Sequence, residues 1–269
     1  MIPNALPALA SHRRGWLRCG ASLLLTVVAV SAQAAVIPAG ADTFGADASR
    51  IDFNEVPLGT ANPIYTPADG AANRGSVSFG GYFSGQSRGN VAECGASTAC
   101  VSGMPNTGLS LDLQSSSTVT VTDSASSNNP VLTGLPLFNG PISILFGADQ
   151  AGVGLSVGFI NAIGAERLTA FDREGNVLGS ITNDALGYSV LALVTDDGSN
   201  DIAGVQLTAT LAAQGFALEN MLFGQQDQLL NLPSPGDGDG MDVAEPDSIG
   251  LFVLMGGLMA LVALRRRRT

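Results

Sequence analysis

The chain has 269 residues, 23 acidic against 12 basic side chains, a net charge of −11, no lysine and one histidine, His12. Arg13, Arg14, Arg18 and Arg265–Arg268 lie at the two ends, so only Arg50, Arg74, Arg88, Arg167 and Arg173 face the acids between Asp42 and Asp247. Nucleic-acid binding is excluded, because it needs a cationic surface to displace counterions.

Residues 1–34 read as a secretory signal helix. Arg13, Arg14 and Arg18 form its basic region, Ala21 to Val30 its apolar region, and Ala32-Gln33-Ala34 the small-x-small site, placing cleavage between Ala34 and Ala35. Arg13-Arg14-Gly15-Trp16-Leu17 also fits a twin-arginine pattern, so both export routes stay open. Removal of the signal takes His12 and Cys19 with it. The mature chain then has no histidine for a nucleophilic triad and no lysine to replace it, and we expect no enzyme.

Residues 35–224 are predicted to form one β-rich ectodomain. Candidate strands are Arg50–Glu55, Ser76–Phe83, Leu109–Leu113, Thr118–Thr122, Ile142–Phe146 and Val153–Ile160. Arg167–Phe171, Val177–Thr182, Ser189–Thr195, Ala203–Ala209 and Ala217–Phe223 follow. Period-two runs such as Leu155-Ser156-Val157-Gly158-Phe159 put one face inward, and Asp172-Arg173-Glu174-Gly175-Asn176 reads as a hairpin turn. Many strands without alternating helices predict an all-β, two-sheet antiparallel sandwich of jelly-roll type.

Cys94 and Cys100 are expected to close a small loop as a disulfide in an oxidising compartment. Tyr82, in Gly80-Gly81-Tyr82-Phe83-Ser84-Gly85, is a candidate sugar-stacking platform, or else an ordinary strand aromatic. Asp52, Glu55 and Glu219 are candidate calcium ligands if the first and last strands pair; solvated strand-edge acids are the alternative. Calcium aside, no cofactor is expected. Residues 225–243, with Pro233-Ser234-Pro235-Gly236-Asp237-Gly238-Asp239-Gly240, read as an acidic flexible linker.

Residues 244–269 hold Ala244-Glu245-Pro246, the apolar run Ile249–Leu264 and Arg265-Arg266-Arg267-Arg268. Sixteen apolar or Gly residues span roughly 24 Å as a helix, and the arginines snorkel to cover the rest of a bilayer core of about 30 Å. The basic end orients this one transmembrane helix with its C-terminus in the cytoplasm. A plain single-span anchor accounts for the helix but not for the Glu-Pro motif.

This tail resembles that of bacterial PEP-CTERM proteins, a Pro-Glu-Pro motif, a hydrophobic helix and an Arg-rich end recognised by an exosortase-type membrane enzyme. Ala244 stands where the family has its first Pro, which bears on processing efficiency. The stretch Ile142–Phe223 also resembles ectodomains found before such tails. Its carriers are Phe171-Asp172-Arg173-Glu174-Gly175-Asn176-Val177-Leu178-Gly179 and Gly215-Phe216-Ala217-Leu218-Glu219-Asn220-Met221-Leu222-Phe223, with Ile51-Asp52-Phe53-Asn54-Glu55 as an opening strand. The resemblance implies a protein of an exopolysaccharide-producing Gram-negative bacterium, briefly membrane-held, then sorted to the outer envelope, surface or biofilm matrix in a structural or adhesive role. A carbohydrate-binding module, with or without calcium, is the alternative, its partner an exopolysaccharide.

Overall fold

The computed structural model describes residues 34–69, 74–94, 99–114, 119–123, 129–209, 215–230 and 232. The strands are β1 (Val36–Pro38), β2 (Ser49–Ile51), β3 (Ile64–Tyr65), β4 (Val77–Gly80) and β5 (Ser87–Arg88). Helix α1 (Val91–Cys94) is a single turn. After it come β6 (Val101–Ser102), β7 (Val119–Asp123), β8 (Pro130–Gly134), β9 (Ile142–Gln150) and β10 (Gly152–Ile160). The last five are β11 (Glu166–Phe171), β12 (Val177–Thr182), β13 (Gly187–Thr195), β14 (Ile202–Ala209) and β15 (Ala217–Gly224).

The molecule is an all-β antiparallel sandwich. A seven-stranded sheet runs β1-β13-β10-β15-β8-β7, with β2 also on β15, and a six-stranded sheet runs β12-β11-β14-β9-β4-β3. Alternation explains the layering, since successive side chains of a strand point to opposite faces. In β10, Val153, Leu155 and Val157 face in; across the gap Ile142, Ile144 and Phe146 of β9 and Val205 and Leu207 of β14 meet them in one buried core. Gly152, Gly154, Ser156 and Gly158 of β10 therefore face out.

The hairpin at residues 172–176 joins β11 to β12 as expected. Asp172 Oδ1 accepts from the Asn176 amide and Oδ2 from Asn176 Nδ2, both at 2.7 Å, while Gly175 takes a φ of +88°, which favours glycine.

Three expectations change. Leu109–Leu113 is not a strand: Leu111 makes one antiparallel bridge to Phe83, and Leu109 packs into an outer cluster instead. The opening strand stops at Ile51, because Phe53 takes a φ of +63° and turns the chain out of the sheet. The linker does not start at residue 225. Gln225 and Gln228 form a capping box, Leu229 bridges Phe44, and the Leu230 amide donates to the Thr43 carbonyl, so this segment packs on the sandwich. Strands β1, β3, β5, β6 and β8 had no alternating signature; all but β8 have four residues or fewer.

No helix among the described residues is long and apolar enough to cross a membrane. The expected signal helix through Gln33 and transmembrane helix Ile249–Leu264 lie outside the described residues.

Candidate functional site

Between β4 and β7 the chain makes an excursion over the outer face of the six-stranded sheet. It is seated by a small apolar cluster in which Phe83 and Leu109 meet Phe171 and Ala203, the Phe83 and Phe171 rings lying edge to face at 5.4 Å. Beside this cluster Gln86 and Gln206 form a reciprocal amide pair: Gln206 Nε2 donates to Gln86 Oε1 at 2.8 Å and Gln86 Nε2 donates back at 3.2 Å. Gln206 Nε2 also donates to Ser143 Oγ at 2.7 Å, and Ser143 donates to the Gly81 carbonyl at 3.1 Å. All three side chains are buried. A closed amide network of this kind avoids the 1–3 kcal/mol typical of an unmade buried hydrogen bond.

The rest of the excursion stands off the sheet and leaves a cleft of about 540 Å³. Its floor is the outer face of β12, β11 and β14, where the register aligns Ser180, Thr169 and Gln206 in one row and Arg167 with Thr208 in the next. Phe171 and Val177 close one end apolar. The far wall carries Glu93, Met104 and the disulfide.

That wall is held locally. The Asn90 side chain accepts from the amides of Ala92 and Glu93, and Glu93 Oε2 accepts from the Asn90 amide at 3.0 Å, a capping box on one helical turn. Glu93 Oε1 accepts from Ser102 Oγ at 2.9 Å. The Asn90 amide first, and the Ser102 hydroxyl second, hold the Glu93 carboxyl below its usual range. Glu93 is thus an ionised structural acceptor. The remaining polar lining groups are hydroxyls and amides, with one guanidinium from Arg167. Such a surface suits a neutral polyhydroxyl ligand over an apolar end wall.

The expected disulfide joins Cys94 to Cys100, with Cα atoms 5.7 Å apart, and so lies in the cleft wall. Ala34 and Ala35 border the fold: the Ala35 amide donates to Asp196 Oδ1 at 3.2 Å just before β1. The sorting residues Ala244, Glu245, Pro246, Arg265, Arg266, Arg267 and Arg268 lie outside the described residues.

Two site expectations are overturned. Tyr82 is no platform, because its ring is 2% exposed. The calcium set does not assemble, since no group of three or more candidate ligands that could hold a metal occurs among the described residues. Asp52 Oδ1 instead accepts from the backbone and side-chain amides of Asn54 at 3.3 and 3.0 Å, the local turn that leaves the sheet. Burial first, then the nearby Glu55 and Asp52 carboxylates, push the buried Tyr65 hydroxyl up. Glu219 lies over Gly158 on the outer face of the seven-stranded sheet.

The cleft residues Gln86, Thr169, Ser180, Gln206 and Thr208 were not foreseen. They are ordinary polar positions of alternating strands, made into a site by what covers them. The Asn90-x-x-Glu93 spacing was the one local signal.

No family model and no curated protein matches this chain. Among solved structures, the crystal structure of the bacteriophage CBA120 tailspike protein 4 enzymatically active domain is matched at 13% identity and a TM-score of 0.27. That match covers 42% of this chain and 18% of the tailspike chain.

Proposed function

We propose that this protein is an exported envelope or matrix component that adheres to neutral glycan through the cleft over the six-stranded sheet. The cleft carries the proposal: the hydroxyls of Ser180, Thr169 and Thr208 on the floor beside the Arg167 guanidinium, one apolar end, and its carboxylate engaged in a helix cap. The proposed role is binding, without catalysis. The strand orders β8-β15-β10-β13 and β9-β14-β11-β12 support a jelly-roll reading of the sandwich. In the same reading the signal is removed at Ala34/Ala35, the Ile249–Leu264 helix spans the inner membrane, and an exosortase-type enzyme processes the Glu245-Pro246 tail. No calcium dependence is part of it.

Cellohexaose, laminarihexaose and mannohexaose, titrated against the full-length chain in detergent, test the binding half. Thr169→Trp fills the cleft floor and is expected to weaken retention at least tenfold. Retention of no glycan by the wild type, or equal retention by the variant, would remove the cleft from the reading and leave a purely structural matrix role. Terminal peptide mapping of native membrane and medium fractions tests the sorting half. A product from Ala35 to near Pro246 is expected, and a membrane form that keeps Arg265–Arg268 would overturn it.

A further inference from the structure

The opposite outer face, on the seven-stranded sheet, is only half covered. Phe44 and Leu229 sit over the Gly152–Gly154 end of β10 in a second apolar cluster with Ala192 and Val194. Beyond that cover the same outward row continues as Ser156 and Gly158, themselves buried but flanked on β13 by the exposed Val190 and Tyr188.

Two β-bulges bracket Gly158. Tyr188 of β13 pairs with Gly158 and Gly187 with Ile160, so Phe159 is the extra residue of β10. Asn220 of β15 pairs with Ser156 and Leu218 with Val157, so Glu219 is the extra residue of β15. Bulges re-aim the side chains they carry. Phe159 takes a φ of +68° and packs its ring at 5.6 Å on Phe138, itself at +62°. Backbone held in this region by bulky residues concentrates at functional surfaces. The carboxylate of Glu219 lies over Gly158, where a Cβ would come within 2.6 Å of Oε1. The absent Cβ at Gly158 leaves the space that the carboxylate occupies. On the other side of Gly158 stands Tyr188, 47% exposed. One row along, Ser156 Oγ donates to Asn220 Oδ1 at 3.0 Å, which orients the amide.

We infer that this face is a second glycan site, taking one neutral pyranose ring stacked on Tyr188. Adjacent strands are about 4.8 Å apart, so a ring on Tyr188 reaches the carboxylate over the neighbouring strand. There Glu219 accepts hydrogen bonds from two adjacent hydroxyls, and the Asn220 amide, held from beneath by the buried Ser156, meets the next one. The carboxylate and the excess of acids over arginines disfavour uronic or phosphorylated polymers, which favours an uncharged glycan over an anionic one. With the cleft on the opposite sheet, one domain then holds two glycan chains at once and cross-links them. The inference takes its ligand class from the proposed function but uses a different face.

The test keeps the two faces apart. Full-length Thr169→Trp protein, its cleft filled, is titrated with cellohexaose, laminarihexaose and mannohexaose, alone and combined with Tyr188→Ala, Tyr188→Phe or Glu219→Gln. At least one hexaose is expected to bind the Thr169→Trp protein. Tyr188→Ala is expected to weaken that binding at least tenfold, Tyr188→Phe to keep it, and Glu219→Gln to weaken it several-fold. Binding lost with Thr169→Trp alone, absent throughout, or unmoved by Tyr188→Ala would overturn the second site. If the cleft variant binds as the wild type does and Tyr188→Ala abolishes binding, this face stands and the cleft falls. Tyr188 is exposed, so an unchanged melting profile is the folding control.

Discussion

The two outer faces of the sandwich are covered by chain of opposite kinds. The six-stranded face is covered by one mid-chain excursion that is tied to itself and to the sheet, through the Cys94–Cys100 disulfide, the Asn90–Glu93 cap and the Gln86–Gln206 amide pair. The seven-stranded face is covered by segments from the two ends of the sandwich, which meet through the Phe44–Leu229 bridge. Arg74 adds a tether to the second of these, donating to both Asp227 oxygens at 2.7 Å and to Gln225 Oε1 at 2.8 Å. A local insertion closes a short loop at low entropic cost, whereas joining distant segments depends on the sheet being formed first. The cleft therefore belongs to a cover that is held locally, within one stretch of the chain.

Replacing one aromatic in each cover is the strongest way to break this contrast. Phe83→Ala removes a fully buried ring from the excursion and is expected to cost roughly 3–5 kcal/mol in urea unfolding and to abolish the cleft. Phe44→Ala is expected to cost distinctly less, because that ring is only just buried. Equal costs would mean that the two covers are energetically alike.

The six-stranded sheet also contrasts with itself. Its outer side buries satisfied amides, while its inner side buries Glu166, fully enclosed with no partner for either carboxyl oxygen among the described residues. Burial pushes this carboxyl up to about 7. The unfolded chain releases the proton near the ordinary carboxylate value and the folded chain holds it longer, so stability falls as pH rises through about 4.5 to 7 and stays lowered above. Glu166→Gln is expected to flatten that slope and to gain up to about 3 kcal/mol at pH 8, with little change at pH 4. Parallel stability curves for the two proteins across this range would rule out a protonated buried Glu166.

The smallest effect sharpens the role of the staple. Cys94→Ser with Cys100→Ser removes a short-loop disulfide, worth about 2 kcal/mol by chain entropy. Hydrogen exchange is expected to rise in α1 and β6 while β9 through β15 keep their protection. Faster exchange throughout the sandwich would make the disulfide a global element.

Much of the frame was legible in the sequence. The long strands β9 to β15 carry alternating or continuous apolar runs between Gly, Asn and Asp turns, and each was placed to within a few residues. Periodicity and apolar runs report buried faces, and those strands bury one or both. Strands of two or three residues bury too little to leave a pattern, so β1, β3, β5 and β6 escaped. Tyr82 and Tyr188 show the limit most sharply: both are aromatics next to glycine, yet one ring is buried and the other is half open. Nothing local distinguishes them, because the difference lies in which sheet face each meets and what lies across it. The calcium set failed for a related reason. Pairing of β2 with β15 was anticipated, but the turn at Phe53 takes Asp52 and Glu55 out of the strand before they can face Glu219.

The sequence by itself determined the acidic character, the disulfide pair, the β-rich sandwich and the hairpin at residues 172–176, since each depends on composition or on neighbours a few residues apart. Only the tertiary structure decided where the chain encloses a cleft, which tyrosine is exposed, and that Tyr188 and Glu219 come to either side of Gly158. Those features arise from register between strands distant in the chain and from the segments laid over them. Register is a property of pairs of strands, and no single stretch of sequence contains it.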